Sequence, residues 1–383
     1  MTNSANFLDF HHITWYVGNA KQAASFYITR MGFEIVAYKG LETGSRSITC
    51  QVIRNNNVIF LFFSPVRAKA IDEQEDRIVK EINAHIQKHG DSVKDIAFLV
   101  TDVSRIYSRA VTNGAKALQS PSVVSDQNGS VKIARLAAFG HISHTLIENI
   151  DFQGLFLPGF VNVDRTKDPI NTTLNSRVAL TSIDHCVGNQ DWNEMENVCF
   201  FYEKVFGFHR YWSVDDKVIS TEYSSLKSIV MSSDNDLVKM PINEPARGKR
   251  KSQIEEFIEY NDGPGIQHIA LRTSDIIETV KAMRARGVDF IGIPDTYYES
   301  MKQKLSIDSV GLREDFELIK DLGILIDYDR DGYLLQLFTK PLTDRPTVFI
   351  EIIQRYNFNG FGAGNFKSLF EAIEREQELR GNL

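Results

Sequence analysis

Two histidines and a glutamate in the second half of this chain are its strongest chemical candidates. His185 sits in the run Ser182 to Cys186, His268 opens the run to Arg272, and Glu351 lies inside the apolar stretch Val348 to Ile353. A carboxylate buried in such a stretch without a partner would lose several kcal/mol of hydration, so Glu351 needs a cation or a donor. A strand histidine alone is by default a hydrogen-bonded core residue, and a lone buried glutamate by default meets an arginine. Three such residues on neighbouring strands instead form a facial set of ligands that leaves up to three octahedral positions open, the geometry of non-haem Fe(II) oxygenases. Nitrogen and oxygen ligands without thiolate suit Fe(II), Mn(II) or Zn(II).

Other candidates are weaker. His85 and His89 stand four apart, as a helical zinc pair would, but they directly precede Gly90 and read as a solvated helix end. His141 and His144 flank a turn and read as loop histidines. The basic run Arg247 to Lys251 reads as a solvated loop. Asn128-Gly129-Ser130 and Asn171-Thr172-Thr173 match a glycosylation pattern that has meaning only in a secreted chain.

The elements that position the three candidates come from a duplication. Asp9 to Ile13 leads through an Ala-rich stretch to Phe26-Tyr27 and Met31-Gly32-Phe33; Ser182 to Cys186 leads to Phe201-Tyr202 and Phe206-Gly207-Phe208. Each reads as strand, amphipathic helix stopped by Gly, and strand, the last over 34–38 and 209–213. A second pair repeats the unit: Asp95 and His268 each open a strand that runs into Thr/Ser/Asp, with Gly114 and Gly287 each 19 residues on, so capped helices are predicted at 104–113 and 275–286. Closing strands follow at 131–137 and 144–149, and at 334–339 and 347–354. The order β-α-β-β-β therefore occurs twice in each half, an α+β arrangement whose mixed sheets curl into open barrels with a concave face. The halves join near 158–174. Tyr297 to Glu317 reads as mostly helical, and 368–379 as an amphipathic helix hung on Gly360 to Gly364, a candidate lid. The first half offers His12, Asp95 and roughly Glu148 as counterparts of the triad, a retired or structural set.

Composition bounds the rest. The 383 residues carry 43 Lys plus Arg against 50 Asp plus Glu, a net charge of −7, which speaks against nucleic acid or an anionic membrane as partner. Three cysteines without a CxxC build neither a disulfide framework nor a thiolate zinc site. With no leader-like start at Met1 to Leu8 and no long apolar run, a cytoplasmic chain is expected.

Several long stretches also match a known pattern: Trp15 to Ala24, Met240 to Pro245, Gly265 to Ala270, Leu334 to Lys340, Asp344 to Thr347 with Glu351 to Arg355, and Gly360 to Phe366. On these the chain resembles, over essentially its full length, the 4-hydroxyphenylpyruvate dioxygenase family of the vicinal oxygen chelate superfamily. The resemblance implies two tandem repeats of paired βαβββ modules, residues 1–157 without metal and 175–383 catalytic and ending in the lid helix. It implies one Fe(II) per subunit on His185, His268 and Glu351. It implies catalytic roles for Gln336, Asn243, Gln253 and Gln267, and substrate contacts from Ser228, Phe338, Phe361, Asn365, Phe366 and Phe370. The implied reaction converts 4-hydroxyphenylpyruvate and O2 to homogentisate and CO2 in tyrosine catabolism, in a homodimer or homotetramer. From the residues alone, Gln336 is equally an inward polar group bonded to backbone, and Phe338 and Phe366 equally core filling. Benzylic hydroxylation of the 4-hydroxymandelate synthase type, a glyoxalase-type lyase and a ligand-sequestering protein of the same superfamily stay open, although Pro241 and Asn243 match the dioxygenase pattern.

Overall fold

The computed structural model describes residues 6–69, 73–163, 177–213, 219–220 and 225–382. Most of the expected junction at 158–174, and the Asn171 to Thr173 motif, lie outside them.

The first half begins with β1 (Phe7–Tyr16), α1 (Ala20–Met31), β2 (Glu34–Lys39), β3 (Ile48–Asn55) and β4 (Val58–Pro65). After α2 (Glu73–His89) the unit recurs as β5 (Ser92–Val100), α3 (Val103–Thr112), β6 (Ala117–Asp126), β7 (Gly129–Ala137) and β8 (Ser143–Asn149), with β9 (Val161–Asn162) at the edge. The strands form one sheet in the order β6-β7-β8-β5-β1-β4-β3-β2-β9. Two four-stranded modules thus meet edge to edge at β5 and β1, each holding one parallel pair, β1 with β4 and β5 with β8.

The second half repeats this. Its strands are β10 (Leu180–Asn189), β11 (His209–Ser213), β12 (Ile219–Ser220), β13 (Ser225–Ser232), β14 (Lys239–Ala246), β15 (Gly265–Thr273), β16 (Leu325–Tyr328), β17 (Tyr333–Phe338) and β18 (Phe349–Tyr356). The sheet order is β11-β13-β14-β10-β15-β18-β17-β16, with β12 on β13, and the modules meet at β10 and β15. The helices are α4 (Met195–Phe201), continued by a π turn to Phe206, α5 (Gln253–Asn261), α6 (Ile276–Ala285), α7 (Asp295–Ile307), α8 (Phe316–Asp321) and α9 (Phe366–Leu379). The segment 297–317, expected to be mostly helical, divides between α7 and the start of α8.

Local chemistry sets these boundaries. Asn19 caps α1 through Gln22 N at 3.1 Å, and α1 stops at Gly32, whose φ of 67° a side chain would resist and whose added Cβ would meet Val178 at 2.8 Å. Asp102 and Asp275 cap α3 and α6 in the same way. A second acceptor reaches each of those helix starts from the closing strand: Glu148 Oε2 takes Val103 N–H at 2.9 Å, and Gln354 Oε1 takes Ile276 N–H at 2.7 Å. Glu148 is therefore the counterpart of Gln354. Strand register agrees, since Ala97 faces Thr145 where Ala270 faces Glu351, which makes Thr145 the residue equivalent to Glu351 and corrects the expectation of Glu148.

The concave side of the first sheet is filled. Val79 and Ile82 of α2 pack with Tyr16, Cys50, Val52, Leu61 and Phe156, and the Phe156 ring meets His12 edge-on at 5.0 Å. His85 and His89 are consequently buried and not a solvated helix end. His85 Nε2 bonds Ser92 Oγ at 2.8 Å, and His89 bonds the Asn261 carbonyl and His141 at 2.7 Å. His144 is likewise a buried strand residue and not a loop histidine, with Nδ1 on Ile96 O at 3.1 Å and Nε2 on Tyr202 OH at 2.7 Å across the two halves. The run 247–250 is exposed, as expected of a solvated loop.

Asp95 carries a testable cost. It is buried, Ser143 Oγ donates to its Oδ2, and its Oδ1 has no partner. Burial pushes its carboxyl up to about 6 from 3.8, only partly countered by Ser143 and the Arg135 charge. Because the folded value lies above the unfolded one, ionisation opposes folding, and the penalty grows as pH rises from about 4 through 6. Asp95→Asn is expected to stabilise the fold by roughly 2–3 kcal/mol at about pH 8 and by little at about pH 4. Thermal unfolding at the two pH values checks this; equal gains at both would contradict it.

Candidate metal centre

Register alone brings the three candidates together. His185 on β10 and Glu351 on β18 each lie opposite Ala270 on the intervening β15, and His268 is two residues before Ala270 on the same face. All three side chains point into the concave side of the second sheet at the seam between its modules. Their ligand atoms lie within 4.8 Å of one another. Glu351 Oε2 is 3.2 Å from His185 Nε2 and 3.5 Å from His268 Nε2.

The electrostatics suit a cation. Burial would raise the Glu351 carboxyl, but hydrogen bonds and charge from His185 and His268 outweigh it and hold it near 2, ionised throughout the neutral range. Burial lowers His268, leaving a neutral imidazole. Each histidine is oriented through its other nitrogen: His185 Nδ1 lies 2.8 Å from Asp184 Oδ1 and His268 Nδ1 lies 3.0 Å from Gln267 Oε1. That arrangement fixes the tautomer with Nε2 toward the centre, as ligating histidines require. Two imidazoles and a carboxylate converge with no Lys or Arg among the three, so the donor set fits a divalent metal. Among the described residues no other group of three such side chains converges in this way.

A cavity opens on the triad. Its walls include Ser228, Asn243, Gln253, Gln267, Phe338, Phe361, Phe366 and Phe370 from the expected set. Gln336 and Asn365 are not among its lining residues. Gln336 is buried on β17, and Asn365 is buried at the start of α9, its Oδ1 accepting from Tyr297 OH at 2.8 Å. Phe366 stacks on Phe370 at 6.2 Å, and α9 thereby lays aromatic surface over the opening. The amphipathic helix expected at 368–379 is thus present and begins two residues earlier.

Comparison with known proteins agrees with this geometry. Residues 9–130 and 182–337 match the model of the glyoxalase/bleomycin resistance protein/dioxygenase superfamily, one segment in each half. The chain is 60% identical to a 4-hydroxyphenylpyruvate dioxygenase from Yarrowia lipolytica, covering 100% of this chain and 96% of that one. Identity to the protein of the same name from Xenopus tropicalis is 51%, covering 98% and 93%. The chain belongs to the 4-hydroxyphenylpyruvate dioxygenase family. A solved 4-hydroxymandelate synthase variant from Streptomyces coelicolor has the same fold, with a TM-score of 0.81 at 28% identity over 97% of this chain and 99% of that one.

This dioxygenase-family cavity includes walls that inspection of the sequence passed over. Phe349 stacks on the His268 ring at 4.9 Å, and Val187, Leu226, Val230 and Leu369 add to the apolar lining. Phe349 and Val187 could have been found from alternation, since each lies two residues from a triad member. Asp184 was also missed, although a lone acid next to a strand histidine in an apolar run needs a partner for the reason that exposed Glu351.

Proposed function

We propose that the chain is an Fe(II)-dependent dioxygenase converting 4-hydroxyphenylpyruvate and O2 to homogentisate and CO2, with decarboxylation, ring hydroxylation and side-chain migration. The observation that carries this reading is the convergence of His185, His268 and Glu351 on one wall of an aromatic cavity. The three would hold the metal. Bound Fe(II) would supply a Lewis-acidic centre with open positions for a chelating 2-oxo acid and for O2.

The protein's own residues then act on the substrate. Phe338, Phe361, Phe366 and Phe370 present ring faces and edges to an aromatic guest, and Ser228, Asn243, Gln253 and Gln267 offer polar atoms to its phenol or carboxylate end. Asn243 Nδ2 is already oriented by Asn189 Oδ1 at 3.3 Å, and Gln267 by Gln253 at 3.5 Å. The lid helix excludes water while the reactive stage lasts. Gln336 and Asn365 would act from beside the cavity, in the lid's seat. In this reading the first half carries no metal, because its equivalent positions are His12, Asp95 and Thr145 and Phe156 fills the space above them.

The test is anaerobic Fe(II) reconstitution, then O2 with 4-hydroxyphenylpyruvate, and product identification by chromatography and NMR. Homogentisate at one O2 consumed per CO2 released supports the reading. 4-Hydroxymandelate would assign the chain to the benzylic reaction, and a lack of O2 uptake would reject both. A homodimer or homotetramer in the cytoplasm accompanies this proposal, with subunit count readable by light scattering; among the described residues no helix is long and apolar enough to cross a membrane.

A further inference from the structure

Asp184 is a buried carboxylate that meets His185, Arg272 and Arg355 at once. A shift in strand register between Ile183 and His185 turns it toward the same side as its neighbour, so its Oδ1 meets His185 Nδ1 at 2.8 Å. Arg355 grips the carboxylate with both arms of its fork: Nη2 donates to Oδ1 and Nε to Oδ2, each at 2.9 Å. Arg272 adds two donors to Oδ2, Nε at 3.0 Å and Nη2 at 2.5 Å, with its side chain half exposed. The third arm of Arg355 points elsewhere. Its Nη1 donates to the carbonyls of Phe358 at 3.2 Å and Gly360 at 2.5 Å, the first residues of the glycine-rich segment that carries α9. The guanidinium also lies 5.4 Å from the centre of the Phe361 ring, and that ring stands edge-on to His185 at 5.2 Å.

The first half supplies a comparison made by the protein itself. His11 and His12 occupy the places of Asp184 and His185 beside the same register shift, and their Nδ1 atoms are 2.8 Å apart. Leu99 and Asn149 stand where Arg272 and Arg355 would, by the strand register that equates Asp95 with His268 and Thr145 with Glu351. Asn149 keeps only the local turn contacts, to Phe152 N at 2.8 Å and Phe152 O at 3.1 Å. The first half has no arginine at these two positions; its Arg54, from β3, lies near His11 and donates to the Leu155 carbonyl beside Phe156, but His11 offers it no carboxylate to grip, and Phe156 lies against His12 where the second half has Phe361 on a glycine tether. In the second half the arginine that reaches the aromatic segment also grips, with two donors, the carboxylate that orients a triad histidine.

We propose that Asp184 and Arg355 are positioning residues that couple the seating of the lid segment to the orientation of His185. When the segment 358–361 is seated, Arg355 is held in place to grip Asp184, and Asp184 holds the His185 ring with Nε2 toward the centre. When the segment lifts, Arg355 loses two of its acceptors and the ring loses Phe361 at its edge. Coupling of this kind is reciprocal: filling the centre favours the closed lid as much as the closed lid favours filling it. The inference rests on the metal-binding reading of the triad, and its test separates the two.

Co(II) alone, added to the full-length metal-free protein, is the probe; its visible absorption reports binding, and tryptic cleavage at the exposed Lys367 at the start of α9 reports the lid. For the parent chain, Co(II) is expected to slow cleavage at Lys367. Arg355→Lys keeps the charge but cannot span Asp184 and the segment; it is expected to bind Co(II) about tenfold or more weakly, in the range seen when partners of metal ligands are removed, and to lose the protection by Co(II). Arg272→Gln, which leaves 358–361 untouched, should keep the protection. Equal cleavage of the parent chain with and without Co(II) would overturn the coupling, whether or not R355K folds. So would parent-like Co(II) affinity in a folded R355K, or the same loss of protection in R272Q, which would assign the effect to ion-pair packing. Failure of the parent chain to bind Co(II) would reject the metal reading itself, and the coupling with it.

Discussion

Glu351→Ala is expected to yield a folded protein that binds Fe(II) at least about a hundredfold more weakly and forms no detectable homogentisate. A hundredfold is the upper range for removing a group that merely orients a ligand, and Glu351 is placed as a ligand itself. It is also the one negative charge among the three, so without it two neutral imidazoles must hold a dication in a buried site. The fold should survive, because each histidine keeps the partner on its other nitrogen, Asp184 for His185 and Gln267 for His268. Glu351→Gln sharpens the test by preserving shape without charge. In the metal-free parent the carboxyl sits near 2 against an ordinary 4.5, so its folded value is depressed. The stability it provides is present above about pH 4.5 and is lost as pH falls toward 2. Circular dichroism, metal titration and product assay on E351A and E351Q check the expectation; parent-like turnover in either would defeat the assignment of Glu351.

The triad was legible because the chain repeats itself. Polar residues at matching points of apolar strands stand out against a second copy, and strand alternation then requires His268, Ala270 and their neighbours to share a face. The same duplication misled where its motifs fade. Leu146-Ile147-Glu148 looks like Phe349-Ile350-Glu351, and only the observed pairing of Ala97 with Thr145 shows that the match is three residues away. Buried histidines failed for another reason. His89 meets Asn261, 172 positions away, and His144 meets Tyr202, 58 positions away, so each looked unpartnered in a linear reading. Asp184 was overshadowed by the histidine beside it, and its two arginines come from other strands. The fold class needed only periodicity and glycine stops, while the filled concave face of the first half depends on α2 and Phe156 reaching it from outside the repeat.

Gly362→Ala is expected to lower homogentisate formation by about tenfold and, because the closed lid favours filling of the centre, to weaken Fe(II) binding with it. Gly362 has φ 77°, in the left-handed region, where a side chain costs roughly 1–2 kcal/mol, and about 1.4 kcal/mol expended in the closed state alone is a factor of ten. The steric conflict adds to this: a Cβ there would lie 2.3 Å from Gln336 Nε2 and 2.6 Å from Oε1. Gln336 is buried on β17 and has little room to retreat, so the segment must rise instead. The Gly362 carbonyl accepts from Asn365 N at 2.8 Å in the turn that starts α9, and the displacement is therefore passed to Phe366, Leu369 and Phe370 on the cavity wall. A raised lid admits water to the reacting stage, so O2 consumed per homogentisate formed should exceed one, which simple loss of folded protein would not produce. Simultaneous oxygen-electrode and chromatographic measurement gives that ratio. A ratio of one at unchanged rate would show that the glycine loop tolerates the methyl group, and that neither Gln336 nor the seat of α9 constrains closure.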